Sequence, residues 1–433
     1  MPLLPWGMRL MTFGWKRERR SVPRRRRIAF FGLFGTGNVG NEASLSSALM
    51  AAREIDPTAE LVCVCARPDV VRAEHGISAV PIYMAGPLPD APSGPRVVRA
   101  VARPLYELAR WSAIYRFLRT IDLVIVPGTG ILDDFGESPK GMPYHLFRWT
   151  AAARLARRRF AFVSVGGGPI THPVSRWLMR NAVKFSSYCS YRDEFSRSYM
   201  AGIGASPVDA PVTPDLVFAL PRPTRSRGRT EEKTVGLGVM TYYGWTNDPA
   251  AGADVFHTYV DKMATIACRL LDSGHFVRVL IGERCDEQAV AALLESIRAR
   301  EDGRTKCDRL IVEPIESIRD LLAQISETDA VIGTRYHNVV GALMLERPVV
   351  SLGYAAKFVD LMEGMGLGNF CHDASAIEPD AVLADLEKLF VEWDVLVDGP
   401  KSRNRQYADE LERQYATVIG SPPASAAWFR SAT

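Results

Sequence analysis

Short apolar strands alternate with amphipathic helices along this chain, stop at one polar stretch, and then resume. That pattern limits the fold more than any other feature. Residues 27–33 read as a first strand, followed by a glycine loop and a helix over 42–55. Strand-like runs follow at 61–65, 123–126, 160–165 and 188–190, with helical patterns at 97–118, 144–157 and 174–184 between them. At 220–233 the text turns to Pro, Arg, Ser, Gly, Thr and Glu, a linker composition. The alternation restarts with strands at 234–239, 277–281, 310–312, 330–332 and 349–351. Apolar strands interleaved with helices predict a parallel sheet covered on both faces.

The fold class expected is therefore α/β, with two doubly wound Rossmann-like domains facing each other across a cleft. The expected segments are a basic tail (1–26), an N-terminal domain (27–219), the linker (220–233), a C-terminal domain (234–400) and a closing helix and tail (401–433). A chain of 433 residues also exceeds what one core usually supports. Ligands of open α/β sheets bind beyond the carboxyl ends of the strands, so the cleft is where chemistry is expected.

The formal charge of +4 is unevenly placed. Residues 1–27 carry nine basic side chains and Glu18, a charge of +8 that leaves −4 for the rest. A nucleic-acid binder would carry its basic patch on the fold, so no nucleic-acid partner is expected. The tail places Leu3, Leu4, Trp6 and Phe13 ahead of its charges, the reverse of a secretory signal. It admits two readings, weak contact with an anionic membrane surface or an unstructured terminus. No apolar run approaches the roughly 20 residues of a spanning helix. Seven cysteines without a close-spaced ladder suit buried thiols in a reducing compartment. The expected location is cytoplasmic, with peripheral contact at the inner membrane face if the tail binds there. Oligomeric state is left open.

Five loops at predicted strand ends could carry chemistry. Gly35-Thr36-Gly37-Asn38-Val39-Gly40-Asn41-Glu42 contains G-x-G-x-x-G at a helix start, where free N–H groups can meet an anion. A dinucleotide site would also need an acid after the second strand. Here that strand ends in Cys65-Ala66-Arg67-Pro68 and the nearest acid, Asp69, falls in the next helix. A ligand-free tight turn stays open, and Asn38, Asn41 and Glu42 are the polar candidates.

Asp133 and Asp134, after Pro127-Gly128-Thr129-Gly130, could hold sugar hydroxyls, act as a base, or cap a helix. His172 follows the run Gly166-Gly167-Gly168, and Arg192 ends a strand in position to meet a carboxylate or phosphate. In Gly333-Thr334-Arg335-Tyr336-His337, an arginine, a histidine and helix N–H groups converge on one point, an anion site. Lys357 ends the neighbouring loop, Ser351-Leu352-Gly353-Tyr354-Ala355-Ala356-Lys357. No His-x-x-x-His or Cys-x-x-Cys ligand set is present, so no metal is expected.

Taken in order, several of these segments resemble the polysaccharide pyruvyltransferase family. The similar elements are Gly37-Asn38-Val39-Gly40-Asn41-Glu42, Val165-Gly166-Gly167-Gly168-Pro169, Arg192-Asp193-Glu194-Phe195-Ser196, Pro214-Asp215-Leu216-Val217-Phe218, Arg335-Tyr336-His337, Arg347-Pro348-Val349-Val350 and Tyr354-Ala355-Ala356-Lys357. The resemblance implies a fold like the two-domain glycosyltransferases. It also implies transfer of a pyruvyl group from phosphoenolpyruvate to a sugar of a polysaccharide or its precursor, forming a ketal, with no cofactor. The partners implied are phosphoenolpyruvate and a glycan or lipid-linked glycan.

On this reading Arg335, His337, Lys357 and Arg192 bind the donor, and Asn38, Asn41, Asp133 and His172 bind the acceptor. His337, Glu42 and Asp134 are the catalytic candidates. The alternatives are a nucleotide-sugar glycosyltransferase of similar shape and a non-catalytic subunit of a glycan-assembly pathway.

Overall fold

The computed structural model describes residues 25–84, 96–226, 232–244, 248–300 and 307–420, with side chains left out at 96–103 and 307. The tail expected over 1–26 lies outside these residues except for Arg25 and Arg26, as does the middle of the linker. The first sheet contains β1 (Arg27–Gly32), β2 (Glu60–Cys65), β3 (Ser78–Pro81), β4 (Leu123–Pro127), β5 (Arg159–Val165) and β6 (Tyr188–Tyr191). The second contains β7 (Thr234–Gly238), β8 (Phe276–Leu280), β9 (Leu310–Ile311), β10 (Ala330–Gly333), β11 (Val349–Gly353) and β12 (Cys371–Asp373).

The spatial orders are β3-β2-β1-β4-β5-β6 and β12-β11-β10-β7-β8-β9. All their pairings are parallel. Each sheet thus reverses direction once, between β1 and β4 and between β7 and β10, and such reversals open crevices at strand carboxyl ends. The short edge strands β3 and β12 were not among the strands expected from sequence.

Burial on both faces explains why the strands read as apolar runs. Along β1, Ile28 and Phe30 enter one core cluster while Ala29 and Phe31 enter another. The second cluster includes Trp149, which is fully buried, packs on Phe31 at 5.6 Å between ring centroids, and donates its indole N–H to the Ile82 carbonyl at 3.1 Å. Trp149→Ala is expected to cost about 3–5 kcal/mol of stability, read as a lower urea midpoint at unchanged slope.

The linker is clamped to the second domain. Arg225 pairs with Asp329 at 2.7 Å and Arg222 with Glu346 at 3.1 Å. The last described helix, Asp398–Gly420, returns to the first domain. There the Gln414 amide donates to Ser164 Oγ at 2.9 Å, and Arg159 donates to the Val418 carbonyl at 2.9 Å.

Among the described residues no helix is long and apolar enough to cross a membrane. The two domains meet through the loops after β1 and β8, at the carboxyl ends of the strands. Val39 N–H donates to the Gly282 carbonyl at 3.3 Å, and Asn38 donates its side-chain amide to the Glu283 carboxylate.

Candidate active site

A cavity of about 350 Å³ opens where the carboxyl ends of the two sheets face each other. Asn38, Asn41, Asp133 and Arg192 line it from the first domain, and Glu283, Arg335, Tyr336, His337, Tyr354 and Lys357 from the second. Seven of the ten residues singled out from sequence therefore share one cavity. Glu42, Asp134 and His172 are not part of its lining.

The loop after β1 reaches the cavity because its glycines allow the bend. Gly35 and Gly37 have φ of 79° and 82°, in the left-handed region. Asn38 then caps the helix Val39–Ile55, its Oδ1 accepting from Asn41 N–H at 3.0 Å. Gly40 is required by a close approach from the other domain, since a Cβ there would fall 1.9 Å from His337 Cε1.

Glu42, two residues further along the helix, points the other way. It is 6% exposed, and its Oε1 accepts from Gly35 N–H at 2.6 Å beneath the loop. Burial lifts its carboxyl to about 7.

Adjacent acids after β4 are likewise split. The Asp134 carboxylate turns toward the loop after β5, accepting from Thr171 N–H and His172 N–H at 2.8 Å each. Those donors hold its pKa below the usual range even though burial acts in the opposite direction. His172 caps the helix Pro173–Phe185, Nδ1 accepting from Val174 N–H at 3.1 Å. Asp134 and His172 thus shape a loop. Asp133 faces the cavity, and burial raises it to about 6, against Phe135 N–H, Arg192 and Lys357, which lower it.

The cationic groups differ in how far they are already engaged. Arg335 forks onto Asp286, with Nε at 2.9 Å and Nη2 at 2.6 Å, and sits 3.4 Å from Glu283. These carboxylates raise its pKa despite the burial. Much of its charge is therefore matched within the protein.

Arg192 is less committed. Its Nε lies 3.4 Å from Asp193 and Nη1 lies 3.9 Å from Asp215, while the guanidinium rests 5.4 Å over the Tyr336 ring. It lies flat against Gly166, where a Cβ would meet Nη2 at 2.9 Å.

Lys357 Nζ sits among aromatic faces, 5.0 Å from the Tyr336 centroid and 5.5 Å from that of Tyr354. Burial, reinforced by Arg192, pulls its pKa down to about 7.

His337 lies at the centre. Its Nε2 is 3.9 Å from Asp215 Oδ2, a buried oxygen without a hydrogen-bond partner. Burial pushes the imidazole down to about 4, with Arg192, Lys357 and Arg335 adding to the shift and Asp215 opposing it. His337 is therefore neutral at pH 7.

Asp215, Glu283, Asp286, Tyr336 and Tyr354 had been given no role from sequence. Asp215 stands in the segment Pro214–Phe218, and the two tyrosines flank charged candidates, so all three carried a local signal. Asp286 meets Arg335 from 49 residues upstream and carried none.

No curated relative matches the chain in sequence. Solved structures resemble it in fold at low identity. UDP-GlcNAc 2-epimerase from Neisseria meningitidis, bound to UDP-GlcNAc, superposes with a TM-score of 0.58 at 9% identity, covering 91% of this chain and 99% of that one. UDP-GlcNAc 2-epimerase from Methanocaldococcus jannaschii gives 0.53 at 9% identity, covering 84% and 92%. The calicheamicin glycosyltransferase CalG4 gives 0.50 at 14% identity, covering 92% and 100%. These likenesses establish the two-domain architecture alone. The family model "Polysaccharide pyruvyl transferase" matches residues 38–355, a span that runs from Asn38 at the first loop to within two residues of Lys357. The chain belongs to the polysaccharide pyruvyl transferase family.

Proposed function

We propose that this protein transfers the pyruvyl group of phosphoenolpyruvate onto two hydroxyls of a sugar in a glycan or lipid-linked glycan, forming a ketal and releasing phosphate. One observation carries the reading. Arg192, His337 and Lys357, from three strand ends in two domains, line a single cavity, with the Asp133 carboxylate in its wall. Phosphoenolpyruvate carries a phosphate and a carboxylate, and Arg192 and Lys357 are the cations whose charge is least matched. Arg335 serves mainly to hold the loop after β8 through Asp286.

The reaction needs a proton at the methylene carbon and a base for the acceptor. His337 by itself is neutral, but a bound anion beside it favours the imidazolium. Its proton then goes to the methylene carbon, and the adjacent carbon becomes electrophilic. The first sugar hydroxyl bonds to that carbon and loses its proton to Asp133. The C–O bond to phosphate breaks, the second hydroxyl bonds to the same carbon, and its proton leaves with the phosphate. One donor and two hydroxyls thus give one ketal and one phosphate. Asn41 offers its amide group to the acceptor at the cavity wall, beside Asn38, whose amide is engaged with Glu283 and Asn41 N–H.

The test is to incubate purified protein with phosphoenolpyruvate and candidate glycans, following phosphate release and the mass of the glycan. Stoichiometric phosphate and a pyruvate mass gain are expected. Consumption of a nucleotide sugar, with phosphoenolpyruvate neither bound nor cleaved, would replace this reading with glycosyl transfer, the chemistry named for one of the structural neighbours.

Donor affinity should also depend on pH. With its pKa pulled down to about 7, Lys357 loses its charge as pH rises above that value. Binding an anion to the protonated amine therefore weakens as pH rises from 7 to 9, by at most about tenfold per unit. Calorimetric titration across that range checks it, and Lys357→Arg, cationic throughout, should reduce the slope by the part that Lys357 contributes.

A further inference from the structure

We propose that Glu42, Glu74 and His75 form a site for one divalent transition-metal cation, outside the cleft and beneath its first loop. One carboxylate oxygen of each glutamate and one imidazole nitrogen lie within 4.8 Å of one another. Two polar atoms of these residues are buried and have no hydrogen-bond partner, Oε2 of Glu42, which is 6% exposed, and Nε2 of His75. A buried carboxylate oxygen facing no donor is costly unless something electropositive occupies the gap. Glu74 covers the pair from the surface, its Oε1 3.9 Å from His75 Nε2.

The donor set selects the ion class. Two carboxylates and one imidazole suit Zn²⁺ or Mn²⁺, with water completing the shell. Mg²⁺ and Ca²⁺ call for six or more oxygen ligands. Ligands of a tetrahedral ion at about 2.1 Å sit about 3.4 Å apart, so exposed Glu74 closes by a small side-chain movement.

The ion would act on the cleft at one remove. Glu42 holds Gly35 N–H through its other oxygen, and Asn38 and Gly40 of the same loop touch the opposite domain. Fixing Glu42 fixes the start of that loop. Sequence could not reveal this set, because Glu42 lies 32 residues before Glu74.

Full-length protein stripped with a chelator is titrated with ZnCl₂ and separately with MnCl₂ by calorimetry. One ion per chain is expected, with a higher melting temperature and slower amide exchange over residues 35–41. Glu74→Ala, at an exposed position, should weaken binding at least tenfold, and His75→Gln and Glu42→Gln should abolish it. Absence of saturable binding overturns the proposal. So does binding that Glu74→Ala and His75→Gln leave unchanged, which would place the ion elsewhere, for example on thiols. Should Glu42→Gln fail to fold, the other two variants decide.

Discussion

Lys357→Met is expected to lower turnover with phosphoenolpyruvate by about a thousandfold, while the melting temperature stays level or rises. The two readouts separate because the lysine is costly to the fold. Its amine sits among Tyr336, Tyr354 and Phe358 with Arg192 as a neighbouring cation, and its pKa falls to about 7. A lysine whose folded pKa lies below its unfolded value makes the native state bind fewer protons between about pH 7 and 10. Stability from this group therefore rises with pH across that window, and methionine removes the slope along with the desolvation penalty. A residue kept at such cost is a candidate for function. The check is a turnover assay beside thermal melts at pH 7 and 9. A variant that loses stability in parallel with activity would mark Lys357 as a packing residue instead.

Gly40→Ala carries the second large effect. The added carbon would fall 1.9 Å from His337 Cε1, so the imidazole must leave its place beside Asp215. A displacement of about 1 Å at a reacting group can cost about a hundredfold in rate, and a loss of that order in kcat is expected here. The mechanism makes the effect specific to His337. In a His337→Ala background the alanine at position 40 should cost little more, because the clashing ring is gone. Such non-additivity, measured in a double-mutant cycle, distinguishes displacement of the imidazole from general loosening of the loop.

The architecture was legible because parallel strands covered on both faces leave continuous apolar text, as in Val124-Ile125-Val126 and Val331-Ile332. β3 and β12 were missed for the same reason in reverse. They are edge strands, part exposed and three or four residues long, so they bury too little to leave a pattern. Arg192, His337 and Lys357 could be singled out because each lies just past a strand end, and strand ends of both domains face the cleft.

Side-chain direction within a loop was not legible. Asp133 and Asp134 are neighbours with the same chemistry, yet one faces the cavity and the other accepts two backbone N–H bonds from the loop after β5. Glu42 follows Asn41 by one residue on a helix, which turns it about 100° away from the cavity. The pairing that mattered most for charge, Arg335 with Asp286, joins the loops after β10 and β8, two strands that lie on either side of β7, and its partners are 49 residues apart in the chain.

Direct binding of phosphoenolpyruvate to the unliganded protein, compared with Arg192→Met and Lys357→Met, tests the donor pocket most simply. The pocket described here predicts saturable binding of one donor per chain, displaced by inorganic phosphate and weakened at least tenfold in each variant. Equal affinity in all three proteins, or tight binding of UDP where phosphoenolpyruvate does not bind at all, would contradict it.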